Sequence, residues 1–211
     1  MNYIASDFCK EEIRNVVFDI GDVLFHFRWQ QMLMDYGLSQ EDAYRVGMET
    51  IGDGLGIWKN LDMGYMDQEE VIEMFAGKYP QDADAIAYFI RHTEYMPVPH
   101  VKVWRLIRRL KEAGYRIYLL SNYPDRMFHK HTQYADFMQD IDGAVVSYMV
   151  HVMKPEPEIY ETLLERYDLR PEQTLFFDDR EENVRGAWAV GMKAVQVPDQ
   201  KVMLEVGEKL L

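Results

Sequence analysis

Two adjacent carboxylates, Asp178-Asp179, close the apolar run Gln173-Thr174-Leu175-Phe176-Phe177. Paired anions at a partly desolvated strand end disfavour each other's ionisation unless a cation shares the site. A third carboxylate, Asp19, ends another apolar run, Asn15-Val16-Val17-Phe18. Oxygen ligands without cysteine or paired histidine point to Mg²⁺ rather than zinc. Gly21 follows, and a residue without a Cβ lets the chain turn sharply beside Asp19. Ser121-Asn122 ends a third run, Arg116-Ile117-Tyr118-Leu119-Leu120, and offers a hydroxyl, an amide and backbone N–H groups suited to a phosphate. Lys154, before Pro155, could offset the remaining charge of that phosphate. Each piece alone has a plainer reading. Asp19 could simply cap a strand, Asp178-Asp179 could start a helix, Ser121-Asn122 could form a turn, and Lys154 could be a solvated charge.

Convergence of these residues requires strands that end at one edge of a sheet. The apolar runs at 15–18, 116–120, 143–147, 173–177 and 193–197 alternate with helical spacing at 101–113, 125–138, 158–167, 181–190 and 200–211. Such alternation predicts an α/β fold, a parallel sheet covered on both faces. In open α/β sheets, ligands bind in the crevice beyond the strand ends. Residues 1–12 read as a partly helical lead-in. From 28 to 96 the character is helical throughout, with helices expected over 29–36, 40–50, 67–78 and 82–95. Asp67 and Glu70 are spaced as a capping box. Gly52-Asp53-Gly54-Leu55-Gly56 reads as a flexible loop, since it lacks the Gly-Lys-Ser/Thr ending of a nucleotide-binding loop. Met96-Pro97-Val98-Pro99 reads as a hinge. The expected division is a core of 1–27 with 97–211 and a helical insert of 28–96.

The chain is 48% hydrophobic and 28% charged, enough for a core. Its net charge of -13 argues against nucleic acid and against anionic membranes, which would repel it. A phosphorylated small molecule is still allowed, because a bound cation can reverse the sign inside one pocket. A single cysteine, Cys9, rules out an intrachain disulfide and fits a reducing compartment. The first residues lack a signal-peptide pattern and no apolar run approaches a bilayer span, so the expectation is a cytoplasmic protein. Oligomeric state is left open. His26, His129 and His131 read as packed or solvated side chains.

In order along the chain, Asp19-Ile20-Gly21-Asp22-Val23-Leu24, Leu119-Leu120-Ser121-Asn122, Lys154-Pro155 and Phe176-Phe177-Asp178-Asp179, with Asn183 following, resemble the haloacid dehalogenase-like (HAD) superfamily. The resemblance implies a Rossmann-like parallel core with flanking helices, and makes the insert a small α-helical cap. The stretch 58–70 is similar to a recurrent part of such caps, where Trp58, Lys59 and Tyr65 would face the pocket. Among subgroups, the chain looks most like bacterial sugar-phosphate phosphatases. The implied activity is Mg²⁺-dependent hydrolysis of a small phosphorylated metabolite. Asp19 would be the nucleophile and a metal ligand, with the Gly21 carbonyl and Asp179 as further ligands and Asp178 acting through water. Ser121 and the Asn122 amide would hold phosphate oxygens, and Lys154 would pair with both phosphate and Asp19.

One position departs from the pattern. The commonest form of the first motif has a second Asp two residues after the nucleophile as general acid and base, and here Gly21 stands there. Asp22, His26, a cap residue or water are the candidate substitutes. The departure keeps two alternatives in view: a 2-haloacid dehalogenase, which needs no metal, and a weakly catalytic member that binds a phosphorylated ligand.

Overall fold

The computed structural model describes residues 3–52 and 56–211. Asp53, Gly54 and Leu55 of the expected glycine-rich loop lie outside them. In chain order the first elements are β1 (Asn15–Phe18), β2 (Phe25–Phe27), α1 (Trp29–Tyr36), α2 (Gln40–Thr50), α3 (Ile57–Asp62), α4 (Gln68–Lys78) and α5 (Ala83–Arg91). There follow β3 (Pro97–Pro99), α6 (Val101–Glu112), β4 (Arg116–Ser121), α7 (Asp125–Thr132), β5 (Gly143–Val146) and α8 (Ser147–Val150). The chain closes with α9 (Pro157–Arg166), β6 (Thr174–Asp178), α10 (Glu181–Ala189), β7 (Lys193–Gln196) and α11 (Gln200–Gly207).

Five parallel strands form one sheet in the order β5-β4-β1-β6-β7. Successive side chains of a strand point to opposite faces, and the core divides accordingly. Val16, Phe18, Ile117, Leu119, Leu175 and Phe177 pack on one face with residues of α6 and α11. Val17, Tyr118, Leu120, Val145 and Phe176 pack on the other with α9 and α10. Burial on both faces explains why the strands read as unbroken apolar runs. The chain winds outward from β1 through β4 to β5, then returns to β6 on the other side of β1. That reversal puts a crevice at the C-terminal ends of β1 and β6.

Helices α1 to α5 follow one another between β2 and β3 and pack together, joining the same core cluster through Val46, Val71, Phe75 and Phe89. The expected capping box is present at Asp67. The stretch read as a hinge is instead β3, paired antiparallel with β2. Flanking bonds from Arg28 N to the Met96 carbonyl and from His100 N to the Leu24 carbonyl fall on alternate pairs. Pro97 and Pro99 therefore occupy positions that need no donor, which reconciles proline with a strand.

Four further expectations are corrected. The described part of the lead-in, residues 3–12, is largely irregular, with Ala5 bridged to Val195 at the β7 edge. The helix expected over 82–95 ends at Arg91 and gives way to a short 3-10 turn, Thr93–Tyr95. The helix expected over 125–138 stops at Thr132, ahead of a 3-10 stretch over Asp136–Asp140. The last helix ends at Gly207, again passing into a 3-10 turn. Among the described residues, no helix is long and apolar enough to cross a membrane.

Candidate active site

β1 delivers Asp19 to the crevice. Its N–H donates to the Phe177 carbonyl, extending the β1–β6 ladder by one step so that the carboxylate emerges beside the end of β6. Asp19 Oδ1 accepts from Ser121 Oγ at 2.6 Å, from its neighbour Ile20 N at 2.7 Å and from Lys154 Nζ at 2.9 Å. Three donors from two strand ends and a loop fix this carboxylate in one orientation. One oxygen each of Asp19, Asp178 and Asp179 lie within 4.8 Å of one another.

Asp178 is fully buried, and its two oxygens are taken up by protein donors. Lys154 Nζ reaches Oδ2 at 2.6 Å, Arg180 N reaches Oδ1 at 2.9 Å, and Asn183 Nδ2 reaches both. Among the described residues, no hydrogen bond reaches the Asp179 carboxylate, although Gln196 Nε2 holds its backbone carbonyl. Burial holds the carboxyls of Asp178 and Asp179 above the usual range, and the neighbouring carboxylates add to the rise. Lys154, itself 2% exposed, is raised because Asp178 and Asp19 outweigh the cost of burying its ammonium. Three carboxylates against one ammonium leave net negative charge at a largely buried site. An oxygen-only donor set with that excess fits a hard divalent cation such as Mg²⁺.

Asn122 acts on the lysine rather than directly on the carboxylates. Its Nδ2 donates to the Lys154 carbonyl at 2.9 Å, and its Oδ1 accepts from Lys154 N at 2.8 Å. The side chain thereby clamps the loop that carries the ammonium. The Asn122 backbone stays beside Ser121, where the sequence placed a phosphate contact.

Gly21 lines the pocket, and the space where a side chain would begin is already filled. A Cβ built there would lie 2.9 Å from Phe27 Cε2. That ring is held edge-on against Tyr123 and His131. The Asp22 carboxylate accepts from Phe27 N at 3.0 Å and contacts His26 Nδ1 at 3.1 Å, closing the turn that connects β1 to β2. His26 is exposed and does not line the pocket.

The cavity over the carboxylates measures about 220 Å³ and is bounded by Asp19, Gly21, Trp58, Asp62, Lys154 and Asp179, among others. A second cavity of about 470 Å³ shares Trp58, Pro124 and Met127 with it and reaches Tyr65, Leu61 and Ile90. Trp58 lines both spaces, whereas Tyr65 reaches only the second and not the one over the carboxylates. Lys59 lines neither and lies 3.5 Å from Glu156. Asp62 has no role assigned from sequence, and the docking of α3 brings it into the pocket wall. His131 is buried, as its packed reading implied, and His129 is exposed.

A family model described as haloacid dehalogenase-like hydrolase matches residues 13–191. A sesquiterpene phosphatase of Aspergillus oryzae is 28% identical over 184 residues, 87% of this chain and 89% of the relative. A phosphorylated carbohydrates phosphatase of Thermotoga maritima is 28% identical over 103 residues, 46% of this chain and 48% of the relative. Among solved structures, a HAD family enzyme of Bacteroides thetaiotaomicron in complex with magnesium and inorganic phosphate superposes with a TM-score of 0.67 at 23% identity, covering 87% of this chain and 93% of that one.

Proposed function

Since the chain belongs to the haloacid dehalogenase-like hydrolases, we propose that it is a Mg²⁺-dependent phosphatase that hydrolyses a small phosphorylated metabolite through an aspartyl-phosphate on Asp19. The observation that carries this reading is the packing of three carboxylates within 4.8 Å of one another, two of them paired with one buried lysine. Dehalogenation at a carbon centre has no use for Asp178 and Asp179 as a cation site. Phosphoryl transfer needs that charge.

Asp19, the Gly21 carbonyl and Asp179 would hold the cation, with Asp178 acting through water, since its oxygens already serve Lys154, Arg180 N–H and Asn183. When bound, Mg²⁺ supplies charge neutralisation for the phosphoryl group. The chain's own residues do the rest. Ser121 Oγ and Lys154 Nζ sit on the nucleophile already, so a phosphoryl group approaching Asp19 meets a hydroxyl and an ammonium. The Asp19 oxygen attacks phosphorus, and water then hydrolyses the acyl phosphate, dividing one displacement into two easier ones. Residues 28–96 serve as a cap over a core of 1–27 and 97–211.

The substrate's organic part lies in the cavity beyond the carboxylates, where Trp58, Leu61, Ile90 and Met127 offer apolar surface. The relatives include a phosphorylated carbohydrates phosphatase and a sesquiterpene phosphatase, so sugar phosphates and terpenyl monophosphates head the screen. The working compartment is the cytoplasm. Purified protein with Mg²⁺ should release phosphate from at least one ester in the panel, and EDTA should abolish the release until Mg²⁺ is returned. Metal-independent halide release from 2-chloropropionate, without phosphate release from any ester, would contradict the reading.

A further inference from the structure

Loss of the usual acid at Gly21 leaves the alkoxide leaving group without its proton donor, and the space beside Gly21 is crowded. Phe27 fills the space in which that side chain would start. A donor has to enter from another wall of the pocket. Asp22 is committed to Phe27 N and His26, and Asp178 to Lys154, Arg180 N and Asn183.

With Asp19 assigned as nucleophile and Asp179 to the cation, the remaining acid of the pocket wall is Asp62, the last residue of α3. Its position is set from the core side. Ser147 Oγ donates to the Asp62 carbonyl at 2.5 Å and accepts from Tyr123 N at 2.9 Å, tying the end of α3 to the loop that starts at Ser121. Next in the chain, His151 Nδ1 donates to the Met63 carbonyl at 2.7 Å. Gly64, at φ 66, lets the backbone approach Tyr148 so closely that a Cβ would lie 2.9 Å from its carbonyl oxygen. Three successive residues are thus docked on 147–151, and Trp58 donates a side-chain hydrogen bond to the Asp62 carboxyl.

We propose that Asp62 is the general acid and base of this enzyme, delivered by the helical insert in place of the side chain missing at Gly21. The proposal rests on the phosphatase reading above. In the first step an Asp19 oxygen bonds to phosphorus, the bond from phosphorus to the ester oxygen breaks, and the Asp62 proton passes to that oxygen, releasing the alcohol. In the second step the Asp62 carboxylate takes a proton from water as the water oxygen bonds to phosphorus and the bond to Asp19 breaks. Phosphate leaves, and both aspartates return to their starting forms. Burial pushes the Asp62 carboxyl up to about 7, even though the Trp58 donor and Arg180 pull it down. Its place at a helix C-terminus also disfavours the anion. A carboxyl near neutrality can both give and take a proton.

The test compares two esters in the full-length protein with Mg²⁺: p-nitrophenyl phosphate, whose leaving group departs without protonation, and an alkyl phosphate that the parent hydrolyses. Asp62→Asn should slow the alkyl ester roughly 10²–10⁴-fold. With the aryl ester it should release about one equivalent of nitrophenolate in a burst and then turn over slowly, because the second step lacks its base. Asp62→Glu should recover part of the alkyl rate. A folded Asp62→Asn protein that hydrolyses the alkyl ester as fast as the parent overturns the proposal. Equal loss on both esters without a burst, in Asp62→Asn and Asp62→Glu alike, overturns it too, since that marks a structural role. The phosphatase reading is judged separately, by whether Asp19→Asn abolishes both reactions.

Discussion

Gly21 and Phe27 illustrate how one vacant side chain is tied to its neighbour. The aromatic ring occupies the volume next to Gly21 and packs edge-on against Tyr123 and His131, contacts it would lose on swinging away. Gly21→Asp should therefore hydrolyse no ester faster than the parent and should destabilise the fold by roughly 1–3 kcal/mol, the usual cost of overpacking. Urea denaturation measures that loss. Adding Phe27→Ala to Gly21→Asp should remove the clash, leaving the pair less destabilised than the sum of the two single variants. His131 makes a second prediction at this scale. Its Nε2 faces the Thr93 carbonyl at 2.7 Å and must carry the proton, which leaves Nδ1 to accept from the Tyr123 hydroxyl at 2.7 Å. Burial pushes this imidazole down to about 4. The unfolded chain, titrating at about 6.5, binds the proton more readily, so stability is full above pH 6.5 and is lost as pH falls toward 4. At pH 5 the loss from this one group is about 2 kcal/mol. The stability gap between parent and His131→Gln should narrow by that amount between pH 7 and pH 5 in paired denaturation curves.

Among the elements, the five core strands were legible because burial on both faces leaves little alternative to an apolar run with a polar end. Asp19, Ser121 and Asp178 could be picked out for the same reason: a carboxylate or hydroxyl directly after such a run is conspicuous. Helices α1 and α2 match their expected spans residue for residue, and α4 matches apart from Asp67, which is its cap. The helix α3 was not foreseen. It is six residues long, follows a glycine-rich stretch and owes its place to Ser147, Tyr148 and His151. Contacts between residues so distant in the chain leave no local periodicity to read. The β2–β3 pair was hidden in the same way, since two prolines in three residues argue against a strand until the register shows that neither needs to donate. The clamp that the Asn122 side chain places on the Lys154 backbone joins residues 32 positions apart and leaves no local sequence signal.

For the molecule as a whole, the reversal of strand order at β1 is what gathers the site. The sheet places β4 and β6 on either side of β1, so Ser121, Asp19 and Asp178 arrive at one crevice from three neighbouring strands. The insert between β2 and β3 then supplies Trp58 and Asp62 to the same space. For a chain of net charge -13 to bind the proposed phosphorylated anion, the repulsion has to be offset locally. Lys154 contributes one positive charge at the centre, and a divalent cation held by the three carboxylates would cancel the rest of their charge, leaving the dication and the ammonium to meet the phosphate. The central claim, that Asp19 attacks phosphorus in this setting, is tested most directly by rapid acid quench of the Mg²⁺-loaded enzyme during turnover of a phosphate ester, followed by peptide mass spectrometry. A phosphoryl group on the peptide carrying Asp19, absent in Asp19→Asn, is the predicted result. Steady hydrolysis by the parent with no phosphoryl group on Asp19 at any quench time, and undiminished hydrolysis by Asp19→Asn, would contradict it.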